Sequence, residues 1–354
     1  MSPRHVAVPR QWKKLVLAIV AAVLVLLAAL AFLNRSYVRT LIDQISGAEY
    51  SGSSTKEIDF IVKPGDTGTD VARNLVVQGV TKNLDSTLRH IYAANPTFYP
   101  GTYRIPLQIS SDEAISLLVN LDNLIVDHVT VPEGLRLSAV FKILSEKTGI
   151  PISEFENASK DTKKFGVPKA APSLEGYLFP ATYDFDPDLT ALQILERMVD
   201  RTKQQLIADG VPKQAWHKTL TLASIIQVEA KQTQDFYKVS RVFLNRIDAG
   251  MHLQSDATVS YGVNGSTVST SSADRSNPNG YNTYLYAGLP IGPISAPGAL
   301  AIDAALHPAA GKWLYFCAIN LKTGETVFSN TYAEHEKAVQ LWRQWMLQNP
   351  GWDD

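Results

Sequence analysis

The chain has 354 residues, 45% apolar and 19% charged, enough hydrophobic material for about two folded domains and too much for global disorder. Its 33 Lys and Arg nearly cancel 34 Asp and Glu. Residues 1–35, however, hold five basic side chains and no acidic one, leaving 28 against 34, or −6, over the rest. That balance excludes the broad positive field of a nucleic-acid-binding domain, and a lone cysteine, Cys317, excludes a disulfide framework or a multi-cysteine metal site.

The first predicted element is a transmembrane helix over residues 15–33, an uncharged run that would span about 28 Å as a helix. Arg10, Lys13 and Lys14 precede it, so residues 1–14 form a cytoplasmic tail and the chain after Asn34 lies outside. A cleaved signal peptide is the alternative, with Ala29-Leu30-Ala31 as cleavage site. Against it, Phe32 and Leu33 continue the apolar run beyond the length of an ordinary signal core. A buried soluble helix is the third reading. Residues 34–55 follow as a tether, small and polar over 47–55.

Ile58, Phe60 and Val62 alternate as in a half-buried strand, and Lys63-Pro64-Gly65-Asp66 is a turn. Val71, Ala72, Leu75 and Val76 recur at helical spacing, with Gly79 closing the helix. A second periodic segment carries Leu84, Leu88 and Ile91. Tyr99 to Tyr103 turns into another strand, and Ser110 or Ser111 caps a helix with Ile115, Leu118 and Val119. Residues 56–128 thus read as a small α/β module.

The larger part, 129–354, reads as mixed α+β: mainly helical over 138–170 and 188–249, then rich in Gly, Ser, Asn and Pro over 250–300. So long a stretch favours a ligand-lining loop region. Trp313 to Ile319 and Thr326 to Ser329 predict a hairpin, and Tyr332 to Gln348 a terminal helix.

Within this part, Leu222, Ile225, Ile226 and Glu229 sit at i, i+3, i+4 and i+7, giving a helix whose apolar face ends in a carboxylate. The next helix brings Phe236, Val239, Phe243 and Ile247 to one face. If the two bury these faces, desolvation raises the pKa of Glu229 and suits it to general-acid work; otherwise its head reaches water past an apolar stem. Glu175, followed by Tyr177, Phe179 and Tyr183, either lines a sugar-binding groove or anchors a buried loop. Gln254-Ser255-Asp256 and Asn282-Thr283-Tyr284 supply further polar groups, which either touch substrate or stabilise turns. Ser53 to Lys56 and Lys322-Thr323-Gly324 mimic fragments of a penicillin-binding enzyme, but one lies in the tether and the other in a hairpin turn. The seven histidines form no H-x-x-x-H pair, and nucleotide-binding glycine motifs are absent. No cofactor or metal is expected.

Eleven segments, in order over about residues 56–340, resemble the endolytic murein transglycosylases, also called the YceG-like or MltG family. They include Lys63-Pro64-Gly65-Asp66, Glu175-Gly176-Tyr177-Leu178-Phe179-Pro180, Ala223 to Ala230, Leu253-Gln254-Ser255-Asp256 and Tyr281-Asn282-Thr283-Tyr284. The resemblance implies a LysM-like module followed by a catalytic domain, both carried outside the bacterial cytoplasmic membrane by the single helix. It also implies cleavage of the β-1,4 bond between N-acetylmuramic acid and N-acetylglucosamine in nascent peptidoglycan strands, ending their elongation. Partners would be the glycan, the membrane and peptidoglycan synthases.

Glu229 falls on the family's catalytic glutamate. Gln227 stands where many members carry a second glutamate, and Ala257 where proline is frequent. The family's chemistry uses the sugar's own 6-hydroxyl, leaving a 1,6-anhydro end, so one carboxylate suffices as acid and then base. Glu175, Tyr177, Gln254, Ser255, Asp256, Asn282, Thr283 and Tyr284 are the expected supporting residues. A hydrolytic muramidase using Asp256 or Glu175 to activate water, and a non-catalytic wall-binding scaffold, are the competing expectations.

Overall fold

A computed structural model describes residues 47–350 except Ser53 and 266–269, together with six helical, exposed residues between 17 and 25. The rest of the predicted span 15–33 lies outside the described residues, as do residues 1–14 and 34–46. No helix among the described residues is long and apolar enough to cross a membrane. The chain divides into two compact units between Val126 and Asp127.

In the first unit, strand β1 (Glu57–Val62) turns Phe60 and Val62 inward, as the alternation predicts. The turn after it closes when the Asp66 carboxylate accepts the Lys63 amide at 2.9 Å. Helix α1 (Gly68–Val77) starts on a capping box formed by Thr67 and Asp70 and buries Val71, Ala72 and Leu75. Gly79 follows its end at φ +76°, a conformation that glycine adopts without strain. Asn83 caps α2 (Leu84–Ala94). Strand β2 (Gly101–Pro106) runs antiparallel to β1, with Tyr103 opposite Phe60.

Ser110, not Ser111, caps α3 (Ser111–Val119) by accepting the Glu113 amide. Strand β3 (Leu124–Ile125) then completes a three-stranded sheet in the order β1-β2-β3. Part of the expected tether is tied down: Ser86 donates to Glu49 at 2.6 Å, and the Ser54 amide bonds the Leu107 carbonyl.

The second unit opens with β4 (Asp127–Thr130), paired antiparallel with β5 (Thr182–Phe185). Between them lie α4 (Leu137–Thr148) and α5 (Ile152–Ser159). The helices α6 (Ala191–Ala208), α7 (Trp216–Glu229) and α8 (Thr233–Asp248) follow. The loop-rich stretch contains the short α9 (Asp256–Gly262) and α10 (Ser272–Arg275), then α11 (Ala299–Leu306). A hairpin, β6 (Tyr315–Asn320) and β7 (Glu325–Ser329), leads to α12 (Tyr332–Gln348). Leu144, Phe185, Leu195, Ile225 and Phe243 share one core.

Helix α7 departs from the one-sided pattern its sequence suggests. Residues 219–226 are buried without interruption, Thr219, Thr221 and Ser224 included. The helix is wrapped by α8, α9 and α11. Its hydroxyls are compatible with that burial because they bond locally: Thr221 donates to the His217 carbonyl at 2.7 Å and Ser224 to the Thr221 carbonyl at 2.8 Å.

Candidate active site

Apolar packing carries α7 to its last residue, Glu229, after which Ala230 turns extended. The Glu229 carboxyl opens on a cavity of about 650 Å³, within the size range of pockets that hold a whole small ligand. Burial is the largest influence on this carboxyl and pushes its pKa up. A hydrogen bond from Ser255 and the charge of Lys231 pull it down, and the charge of Asp256 pushes it up again. Ser255 Oγ donates to Glu229 Oε1 at 2.6 Å.

Ser255 is held from several sides. Its amide donates to Thr283 Oγ1 at 3.1 Å, and the Gln254 amide donates to the Thr283 carbonyl at 3.1 Å. Thr258 donates to the Ser255 carbonyl, and its hydroxyl also pairs with that of Thr283, both at 2.8 Å. Gln254 sits at φ +50°, an uncommon conformation for a side-chain-bearing residue, which re-aims the chain just before Ser255. Arg246 on α8 braces the same segment: Nη1 donates to the Leu253 carbonyl at 2.8 Å, and Nε to the Leu314 carbonyl at 2.6 Å.

Asp256 is fully engaged. Tyr284 donates its hydroxyl at 3.0 Å, Thr270 donates a second hydroxyl, and the Arg275 guanidinium pairs with the carboxylate at 3.3 Å. Arg275 also lies 5.0 Å from the centre of the Tyr284 ring. Burial, first, and Asp256, second, push the Tyr284 hydroxyl up to about 12, so it stays a donor.

A family model described as the YceG-like family matches residues 60–341. The chain belongs to the YceG-like family. An endolytic murein transglycosylase of Bacillus subtilis is 31% identical over 313 residues, 82% of this YceG-like chain and 82% of that protein. A Streptococcus pneumoniae protein of the same name is 30% identical over 175 residues, 47% of this chain, which there spans only 32% of the relative's length. The crystal structure of a yceG-like protein from Listeria monocytogenes superposes with a TM-score of 0.53 at 29% identity. It covers 80% of this chain and 99% of its own.

The fold of this YceG-like protein brings Glu229, Gln254, Ser255, Asp256 and Tyr284 to one cavity. Thr283 and Asn282 lie behind it, each 1% exposed. Asn282 accepts the Tyr284 amide at 3.0 Å and donates to the Arg275 and Asn277 carbonyls, so it shapes the loop that carries Tyr284. Glu175 and Tyr177 are not brought to this cavity. Both Glu175 oxygens accept the Leu137 amide, at 3.0 and 2.9 Å, at the start of α4. The Tyr177 hydroxyl instead bonds His217 Nδ1 at 2.9 Å. Gln227 faces α11, where its Oε1 accepts the Gly298 amide at 2.9 Å.

Sequence reasoning missed Arg246, Arg275 and Thr270 as builders of the site. For Arg246 a signal existed: it continues the buried stripe of Val239, Val242 and Phe243 on α8, where a charge demands a polar purpose. Among the described residues no group of three or more His, Cys, Asp or Glu is arranged to hold a metal.

Proposed function

We propose that this YceG-like chain is a peptidoglycan lytic transglycosylase. It cleaves the β-1,4 bond between N-acetylmuramic acid and N-acetylglucosamine inside glycan strands and leaves 1,6-anhydro ends. The observation that carries this reading is the carboxyl of Glu229, desolvated at the end of a helix buried without interruption over residues 219–226, yet open to a cavity. The name shared by its bacillary and streptococcal relatives agrees with it.

Protonated Glu229 gives its proton to the glycosidic oxygen as that bond breaks. Ser255 occupies Oε1, so Oε2 is the oxygen that carries the proton. The carboxylate left behind then takes the proton of the sugar's 6-hydroxyl as that oxygen closes onto the anomeric carbon. Loss of the leaving chain as an alcohol and ring closure balance the reaction without water. Ordinary glycosidases use a second carboxylate as nucleophile or to activate water. Asp256, occupied by Tyr284, Thr270 and Arg275, is better placed to hold the cavity wall and to offset developing positive charge.

In the same reading, residues 15–33 anchor the protein in the cytoplasmic membrane with both units outside. The first unit is the LysM-like module, and the anchor holds the enzyme beside nascent strands and their synthases, where cleavage ends elongation. Mass spectrometry of products from purified strands tests the chemistry. Anhydro ends are expected; reducing ends, heavier by one water, would make the protein a muramidase. Retention of glycan with no cleavage under any condition would make it a wall-binding scaffold.

A further inference from the structure

A second cavity, of about 810 Å³, lies on the other side of Arg136, a residue that lines both. We propose that this cavity, walled by Tyr261, Tyr281 and Arg136, binds sugar units of the same glycan strand away from the bond being cleaved. The proposal rests on the chain being a peptidoglycan-cleaving enzyme, and it adds where the strand runs once it leaves the catalytic cavity.

Three observations carry it. The first is continuity. Arg136 Nη2 donates to Ser260 Oγ at 3.3 Å, in the wall of the catalytic cavity. Its guanidinium also lies 5.3 Å from the centre of the Tyr261 ring, in the wall of the second. One side chain therefore forms the ridge between the two spaces, and a strand crossing it touches both.

The second is chemistry. Tyr261 and Tyr281 pack with ring centres 4.6 Å apart and planes tilted by 58°, and both remain half-buried. Pyranose rings present apolar C–H faces that lie on aromatic rings, and polar edges that need donors and acceptors. Arg136, Ser173 and the exposed Asn264 supply those around the tyrosines.

The third is that the buried wall is built and fixed. Glu175, 3% exposed, is held by the Leu137 amide and has the Tyr261 hydroxyl beside it. Tyr261 in turn meets Tyr281. The ring pair is thus braced from behind by a carboxyl that takes no part in the catalytic cavity. An enzyme that cuts within a strand must hold sugar units on both sides of the cut, and the second cavity extends the space available to the strand beyond Arg136.

The test uses the full-length chain and peptide-free glycan strands of defined lengths, from the shortest that is cleaved upward. The readout is the ratio of kcat/KM on long strands to that on the shortest. Tyr281→Ala is expected to lower this ratio about fivefold to tenfold, mainly through KM, and Tyr281→Phe to restore most of it. Asn264→Gly removes the rim amide while suiting the local φ of +55°. It should lower the ratio about threefold and remains informative if Tyr281→Ala fails to fold.

A ratio unchanged in Asn264→Gly and in folded Tyr281→Ala, with cleavage intact, overturns the proposal. So does a fall seen only on strands carrying stem peptides, which would assign the cavity to peptide. A wild type that cleaves no strand at all overturns the proposed reaction itself, and this proposal with it.

Discussion

In the proposed reaction Glu229 must hold a proton before the bond breaks and release it without leaving the cavity, and Ser255 works against burial in setting that balance. The Ser255 hydrogen bond favours the charged form. Ser255→Ala therefore raises the pKa of Glu229 further. The alkaline limb of the pH–rate profile moves to higher pH, while kcat falls about tenfold because the carboxyl loses its fixed orientation. A profile that moves to lower pH would contradict the assignment. Helical spacing placed Glu229 at the end of an apolar face but left open whether its head met a cleft or water. The resemblance singled it out, and its burial follows from contacts made only in the fold. The grip on Asp256 was not legible in the sequence: Thr270 and Arg275 reach it from 14 and 19 residues away, through a loop with no periodicity to read.

Helix starts and the hairpin follow from short-range chemistry, which is why Gly79, the β6–β7 turn and the limits of α12 could be read from the chain alone, and the cap of α3 narrowed to Ser110 or Ser111. The uninterrupted burial of residues 219–226 on α7 could not, since it depends on α9 and α11, whose contacts arise only in the fold. Glu175 belongs to this scale too, because it ties the start of α4 to the loop before β5. Burial, the largest influence, pushes its carboxyl from 4.5 up to about 7. The folded state then holds a proton that the unfolded chain has released between those values. The stability associated with that proton is complete below about pH 4.5 and is lost as pH rises through about 7. Glu175→Gln should remove this loss, so wild type should weaken relative to the variant by about 1–3 kcal/mol between pH 5 and pH 8 in thermal melts. Arg246 joins α8 to two loops through backbone carbonyls. Arg246→Lys keeps the charge but not the planar fork, and is expected to lower stability by about 1–3 kcal/mol in the same assay.

Across the whole molecule, the near-zero net charge divides into +5 over residues 1–35 and −6 over the remainder. The first part suits orientation at a membrane. The second gives no long-range attraction for a wall polymer that carries carboxylates, so in the proposed membrane-anchored reading tethering supplies the local concentration. A reporter fused after Asn34 should be active only outside the cytoplasm; activity confined to the cytoplasm would reverse the topology. The central claim is that one carboxyl at the end of α7 performs both proton transfers. Its most direct measurement is the rate of 1,6-anhydro end formation from purified strands by full-length wild type and Glu229→Gln, with folding checked by melting. A fall of about 10²–10⁴-fold is expected in the folded variant, and anhydro ends formed at the wild-type rate would contradict the account.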